Sequence, residues 1–285
     1  MRFCTMTVDG QEDVGIAVDG GIARLSILAE LTETKLGPTL LDVVVDGQAE
    51  QIRLALADPE IQAKAVWSAE VAFGPIYRHP PKLWGVGLNY RRHADDLEVE
   101  QPSGTPGSYL RPSNCVIGYG DEIVLPTQSD RVTAEAELGV VIGRTCRDVA
   151  AEDAESVIFG YTTILDMTAE DAIRINPRYI PWSKAFDTFC SLGPWVVTPD
   201  EVGELASIRI STVVNGETIA TNQVAAMMRD PHWQVAYFSG GMMLDAGSVI
   251  ATGTPGACVI RDGDVVEAVV ERVGTLQNTV RRAAR

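Results

Sequence analysis

Apolar and polar positions change period several times along the chain, and each change marks an element. Near the start, "RFCTMTVDGQEDVGIAVDGGIARL" alternates short β-like runs with DG and DGG turn signals, a pattern that predicts small hairpins. "EQIRLALADPEIQAKAVWSAEV" then shifts to helical apolar spacing, interrupted near Pro59. The Pro-rich and then strongly apolar stretch 73–90, "FGPIYRHPPKLWGVGLNY", reads as a linker feeding the first strand of a larger unit. Residues 1–72 are therefore expected to form a small N-terminal β-hairpin domain, and residues 73–285 a second, larger domain.

In the larger unit, "ELGVVIG", "FGYTTILD", "GPWVVT", "IRISTVVNG", "SVIATGTP" and "DVVEAVVERVG" each predict a strand, the second ending at Asp166. "AAEDAESVI" predicts a short acidic helix. Thr168 and Asp171 form a T-x-x-D capping signal that opens another. Asp230 and Pro231 supply an N-cap and first-turn pair for the helix "DPHWQVAYFSG". These strands do not alternate regularly with helices of crossover length. The expected class is α+β and β-rich, with layered sheets, rather than a doubly wound α/β fold.

Composition narrows the function. Of 285 residues, 46% are hydrophobic and 22% charged, as in ordinary globular proteins. A formal net charge of −16 repels phosphate backbones and anionic lipid, which argues against nucleic-acid and membrane-surface partners. The start lacks an apolar signal-peptide core, and no window approaches about 18 uninterrupted apolar residues. Five scattered cysteines without a CxxC pair argue against a disulfide framework or a thiolate zinc site. A soluble, cytoplasmic protein is expected. "GVGLNY" lacks the third glycine of a dinucleotide loop and "TGTPG" lacks the Gly-Lys-Ser/Thr of a phosphate loop, so neither implies a nucleotide cofactor.

The candidate chemistry begins at "TAEAELGVVIG", where Glu135 and Glu137 open an apolar β-branched run. Residues two apart in a strand share a face, so the two carboxylates sit side by side. Either they lie in water at a strand end, or a hard divalent cation such as Mg²⁺ or Mn²⁺ turns their repulsion into chelation. Asp166, at the end of the next predicted strand, is the candidate third oxygen donor. On spacing alone both readings stand.

"GVGLNYRRHADD", "EAELGVVIG", "GYTTILDMTAED", "WSKAFDTFCSLGPWVVT", "VNGE", "TGTPG" and "DGDVVEAVVERVGTLQN" occur in one order, and in that order the chain resembles the fumarylacetoacetate hydrolase family over roughly residues 73–280. The N-terminal hairpins resemble the small domain of its shorter bacterial members. The resemblance implies a catalytic domain of layered mixed sheets, a homodimer, and Mg²⁺ or Mn²⁺ held by Glu135, Glu137 and Asp166. It places the catalytic histidine at His93, its acidic partner at Asp96, where the family usually has Glu, and the catalytic lysine at Lys184. Thr254 falls where a threonine holds a substrate carboxylate. The implied activity is hydrolysis of a C–C bond in a β-diketone or acylpyruvate-like 2-oxo acid, through a metal-stabilised enolate. The alternatives are an isomerase or tautomerase (as for 2-hydroxyhepta-2,4-diene-1,7-dioate), an oxaloacetate decarboxylase-like enzyme, or a catalytically silent metal- or metabolite-binding homologue.

Several positions depart from the family pattern. Glu170 stands where an Arg usually helps to hold an anionic substrate, Ile173 and Ala220 where Gln is frequent, Arg111 where Lys is usual, and Ala257 at a glycine. Arg111 and Glu170 are nonetheless expected to contact substrate. Replacing Arg by Glu reverses charge, and a carboxylate cannot reproduce a bidentate anion clamp. Arg174, one helical turn from Glu170, is positioned to compensate. Together these changes predict a larger or less anionic substrate than a simple acylpyruvate.

Overall fold

The computed structural model describes residues 1–67, 71–91 and 104–284. Its largest sheet is built around Val132–Ile142 and Ile158–Ala169, which pair antiparallel along nearly their full length. Every residue of both strands is buried. Cys190–Val197 pairs with Ile158–Ala169 on one side. On the other side, Val249–Ala251 pairs with Val132–Ile142, Leu83–Gly87 follows in parallel, and Gly107–Leu110 closes the edge. A second sheet runs through Glu217–Gln223, Arg209–Val214, Val265–Val270, Gly274–Arg282 and Glu122–Leu125. It packs on the large sheet, and the Thr212 hydroxyl accepts from the Ala136 N–H at 3.0 Å. The central strands are mostly apolar, and besides the site residues they carry Thr162 and Thr163, whose hydroxyls donate to the main-chain oxygens of Trp195 and Gly274. This is the α+β, sheet-layered class expected from the pattern.

The first hairpins form as the turn signals predict: Arg2–Val8 pairs with Gln11–Val18, which pairs with Gly21–Arg24. Arg2–Val8 also pairs antiparallel with Cys190–Val197, so these hairpins extend the large sheet. The following helical stretch is Ala49–Leu56 and Pro59–Ala65, divided where Asp58 caps the second helix by accepting from the Glu60 N–H at 2.8 Å. No helix among the described residues is long and apolar enough to cross a membrane.

Two boundaries differ from expectation. The strand expected to stop at Asp166 continues to Ala169, and the acidic stretch Ala151–Val157 winds as a 3₁₀-helix. Thr168 consequently caps nothing. It lies in the strand, its hydroxyl donates to Glu135 Oε1 at 2.9 Å, and the helix Glu170–Ile175 starts after Ala169 without a side-chain cap. Asp171 turns away to accept from Ser129 Oγ and the Asp130 N–H at 2.7 and 2.9 Å. The tertiary partners outcompeted the local capping box. By contrast, Asp230 does cap Pro231–Gly241, accepting from the Trp233 N–H at 2.8 Å.

Candidate metal centre and adjoining cavity

Alternation along Val132–Ile142 puts Glu135 and Glu137 on one face, as predicted, and the antiparallel register places Asp166 directly opposite Glu135. The three carboxylates offer oxygens within 4.8 Å of one another. They are not at a wet strand end. Glu137 is 1% exposed and Asp166 0%.

Two buried cations answer them. Lys184 Nζ donates to Asp166 Oδ1 at 2.8 Å and to Glu135 Oε2 at 3.2 Å. Arg111 Nη2 pairs with Asp166 Oδ1, while its Nη1 donates to the main-chain oxygens of Lys184 and of Phe189, the latter at 3.1 Å. Tyr109 donates its phenolic proton to Asp166 Oδ2, and its ring lies 5.0 Å from the Lys184 ammonium. The Tyr109 ring occupies space that only glycine at position 85 leaves open, because a Cβ there would come 2.2 Å from the ring.

Glu137 is held differently. Among the described residues it accepts one hydrogen bond, from the Gly253 N–H at 2.8 Å. Gly253 has φ +98°, and a Cβ would come 2.8 Å from Asn89 Cβ, so this turn of "TGTPG" requires glycine to deliver its amide. Burial is the main cause that raises the Glu137 carboxyl to about 7, against the opposing pull of Lys184. Burial likewise lowers Lys184 from its usual range and pushes the Tyr109 phenol well above 10.

With all groups ionised, three carboxylates face two cations among the described residues. The donors are all carboxylate oxygens, the set that a hard divalent cation prefers. The residues present therefore fit Mg²⁺ or Mn²⁺.

A cavity of about 390 Å³ opens beside the trio. Glu135, Lys184, Tyr109, Thr254 and Glu170 reach it, and Leu88, Ile173 and Ile180 supply apolar wall. Thr254 is buried there; its hydroxyl donates to the Gly256 carbonyl at 3.0 Å. The structure thus brings Glu135, Lys184, Thr254 and Glu170 to one cavity, with Glu137 and Asp166 grouped against Glu135 behind its lining. Arg111 is turned inward onto Asp166 and main-chain carbonyls and does not line the cavity, so its contact is with a carboxylate of the trio. His93 and Asp96 lie outside the described residues.

Sequence reading gave no site role to Tyr109 or Gly253, and read Thr168 as a helix cap. Tyr109 had a usable signal, since it stands two residues before Arg111 in "YLRPS". Nothing local announced that the Thr168 hydroxyl would turn to Glu135.

The family model described as "Fumarylacetoacetate (FAA) hydrolase C-terminal" matches residues 82–281. The 2,4-didehydro-3-deoxy-L-rhamnonate hydrolase of Sphingomonas sp. (strain SKA58) is 32% identical over 98% of this chain and 96% of its own. The mitochondrial oxaloacetate tautomerase of Homo sapiens is 33% identical over 92% of this chain and 84% of its own. Among solved structures, maleylpyruvate hydrolase from Sphingobium sp. SYK-6, in complex with manganese(II) and pyruvate, aligns with a TM-score of 0.82 at 29% identity, covering 100% of both chains.

Proposed function

Because the chain belongs to the fumarylacetoacetate hydrolase family, we propose that it is a divalent-metal-dependent hydrolase that cleaves a C–C bond in an acylpyruvate-like 2-oxo acid or β-diketone. The observation that carries this reading is the buried trio of Glu135, Glu137 and Asp166, whose member Glu135 lines a cavity that also receives Lys184. Similarity to a maleylpyruvate hydrolase solved with manganese(II) and pyruvate supports both the metal and the substrate class.

Glu135, Glu137 and Asp166 would hold Mg²⁺ or Mn²⁺, which when bound supplies Lewis-acid polarisation of a carbonyl. Lys184 faces the cavity with an ammonium whose pKa burial has lowered, suited to stabilise negative charge developing on a substrate oxygen or to deliver a proton there. Tyr109, kept neutral, anchors Asp166 by its hydrogen bond and forms part of the wall. Thr254, which lines the cavity, takes the role of holding a substrate carboxylate; this assignment comes from the sequence resemblance. His93, oriented by Asp96, takes the role of general base on water; this assignment comes from the sequence resemblance. Arg111 acts as a positioning residue through Asp166. A cytoplasmic homodimer belongs to the same reading.

Similarity to the human tautomerase favours a second reading, an isomerase or tautomerase using the same residues without attacking water. The two separate in one experiment: turnover of acylpyruvates, oxaloacetate and bulkier β-diketones with Mn²⁺ or Mg²⁺ in oxygen-labelled water, alongside Glu137→Ala. Two fragments, one carrying solvent oxygen, and no turnover in the variant are expected for the hydrolase. A single rearranged product would select the second reading.

A further inference from the structure

At one end of the cavity, the buried carboxylate of Glu170 lies between two guanidinium groups. Arg131 Nε donates to its Oε2 at 2.6 Å. Arg174 donates to its Oε1 through Nε at 2.9 Å and Nη2 at 2.5 Å. The main chain fixes the same triangle. The Glu170 N–H donates to the Arg131 carbonyl at 2.9 Å, and Asp171 clips residues 129 and 130 to the first turn of the helix. Arg131 and Arg174 are themselves 46% and 63% exposed, so each is anchored chiefly by the carboxylate between them.

Two arginines converging on one carboxylate is the arrangement that captures a ligand carboxylate. Here the chain supplies the carboxylate itself. A surface ion pair contributes little to stability and would not require a buried Glu facing a cavity. Resting on the function proposed above, we propose that Glu170 is an internal counter-anion. It neutralises Arg174, which lines the cavity, together with Arg131, which does not, excludes a second substrate carboxylate from Arg174, and makes the site selective for 2-oxo acids with an uncharged tail. Leu88, Ile173 and Ile180 on the same cavity wall match an alkyl or aryl tail. Glu170 is thus a specificity-determining residue, and Arg174 is the cavity-facing cation of a carboxylate subsite closed from within.

The test is calorimetry on the Mn²⁺-loaded protein with 2-oxohexanoate and 2-oxohexanedioate, which differ only in a terminal methyl or carboxylate. The unsubstituted protein should bind the monoacid at least tenfold more tightly. In Glu170→Ala and in the shape-preserving Glu170→Gln, the ratio of affinities should move at least tenfold toward the diacid. Adding Arg174→Ala to Glu170→Ala should reverse that movement. Equal or preferential binding of the diacid by the unsubstituted protein, or an unmoved ratio in a folded Glu170→Gln, overturns the inference while leaving the 2-oxo acid reading intact. Failure of the unsubstituted protein to bind either acid, with Mn²⁺ bound, sinks both.

Discussion

Glu135 and Asp166 face each other across adjacent antiparallel strands and share one ammonium, that of Lys184. The shared contact offsets the repulsion between two buried carboxylates. It also makes Lys184 the residue whose loss should be felt in stability as well as chemistry. Removing one member of a buried, hydrogen-bonded charge cluster costs about 3–5 kcal/mol. Lys184→Met should lose stability of this order in urea denaturation of the metal-free protein, and Mn²⁺ should restore more stability to the variant than it adds to the unsubstituted chain. Turnover should be lost in both conditions. A variant as stable as the parent without metal would contradict the shared-countercharge account.

Glu137 sets a pH dependence. Its carboxyl is raised from 4.5 to about 7 in the folded protein. The folded state therefore binds the proton more tightly than the unfolded chain does. The stability this contributes is fully present below 4.5 and is lost as pH rises through about 7. A metal must displace that proton, so Mn²⁺ affinity should climb with pH up to about 7 and level off above it. Mn²⁺ titrations by calorimetry between pH 5.5 and 8.5, roughly the span over which such a carboxyl ionises, check this. Glu137→Gln should bind weakly with a flatter profile.

Gly253 is a backbone donor that tolerates no side chain. Gly253→Ala must strain a φ of +98° and push against Asn89. A destabilisation of about 1–3 kcal/mol is expected, together with weaker Mn²⁺ binding as the amide withdraws from Glu137. Melting curves and metal titration of the same variant would show both losses. Weakened metal binding without a drop in stability would locate the effect elsewhere.

Tyr109 orients Asp166 from outside the trio. Partners that hold a metal ligand typically account for about 10–100-fold in affinity or activity, so Tyr109→Phe should lose metal affinity or kcat within that range while remaining folded. The ring stays in the variant, so packing against Gly85 is preserved and only the hydrogen bond to Asp166 is removed.

As a control on a residue that contacts none of the trio, Asp230→Ala removes the N-cap of Pro231–Gly241. Loss of such a cap costs about 1 kcal/mol. Chemical denaturation should register it, with Mn²⁺ affinity unmoved.

The readable parts of this protein are those governed by local rules. A period of two placed Glu135 and Glu137 on one face, Asp230 announced a helix that it does cap, and the DG turns announced hairpins. The resemblance of ordered motifs supplied the family. Local rules failed at Thr168, where a capping signal met a stronger tertiary acceptor in Glu135.

Everything that joins distant segments was decided only in three dimensions. The register that sets Asp166 against Glu135, the inward turn of Arg111, the pairing of Arg2–Val8 with Cys190–Val197, and the capture of Glu170 by Arg131 all depend on how separate strands and loops meet. A strand's pattern fixes which face a side chain takes, because the pleat alternates. It does not fix the partner across that face, because register is chosen by the packing of the whole sheet.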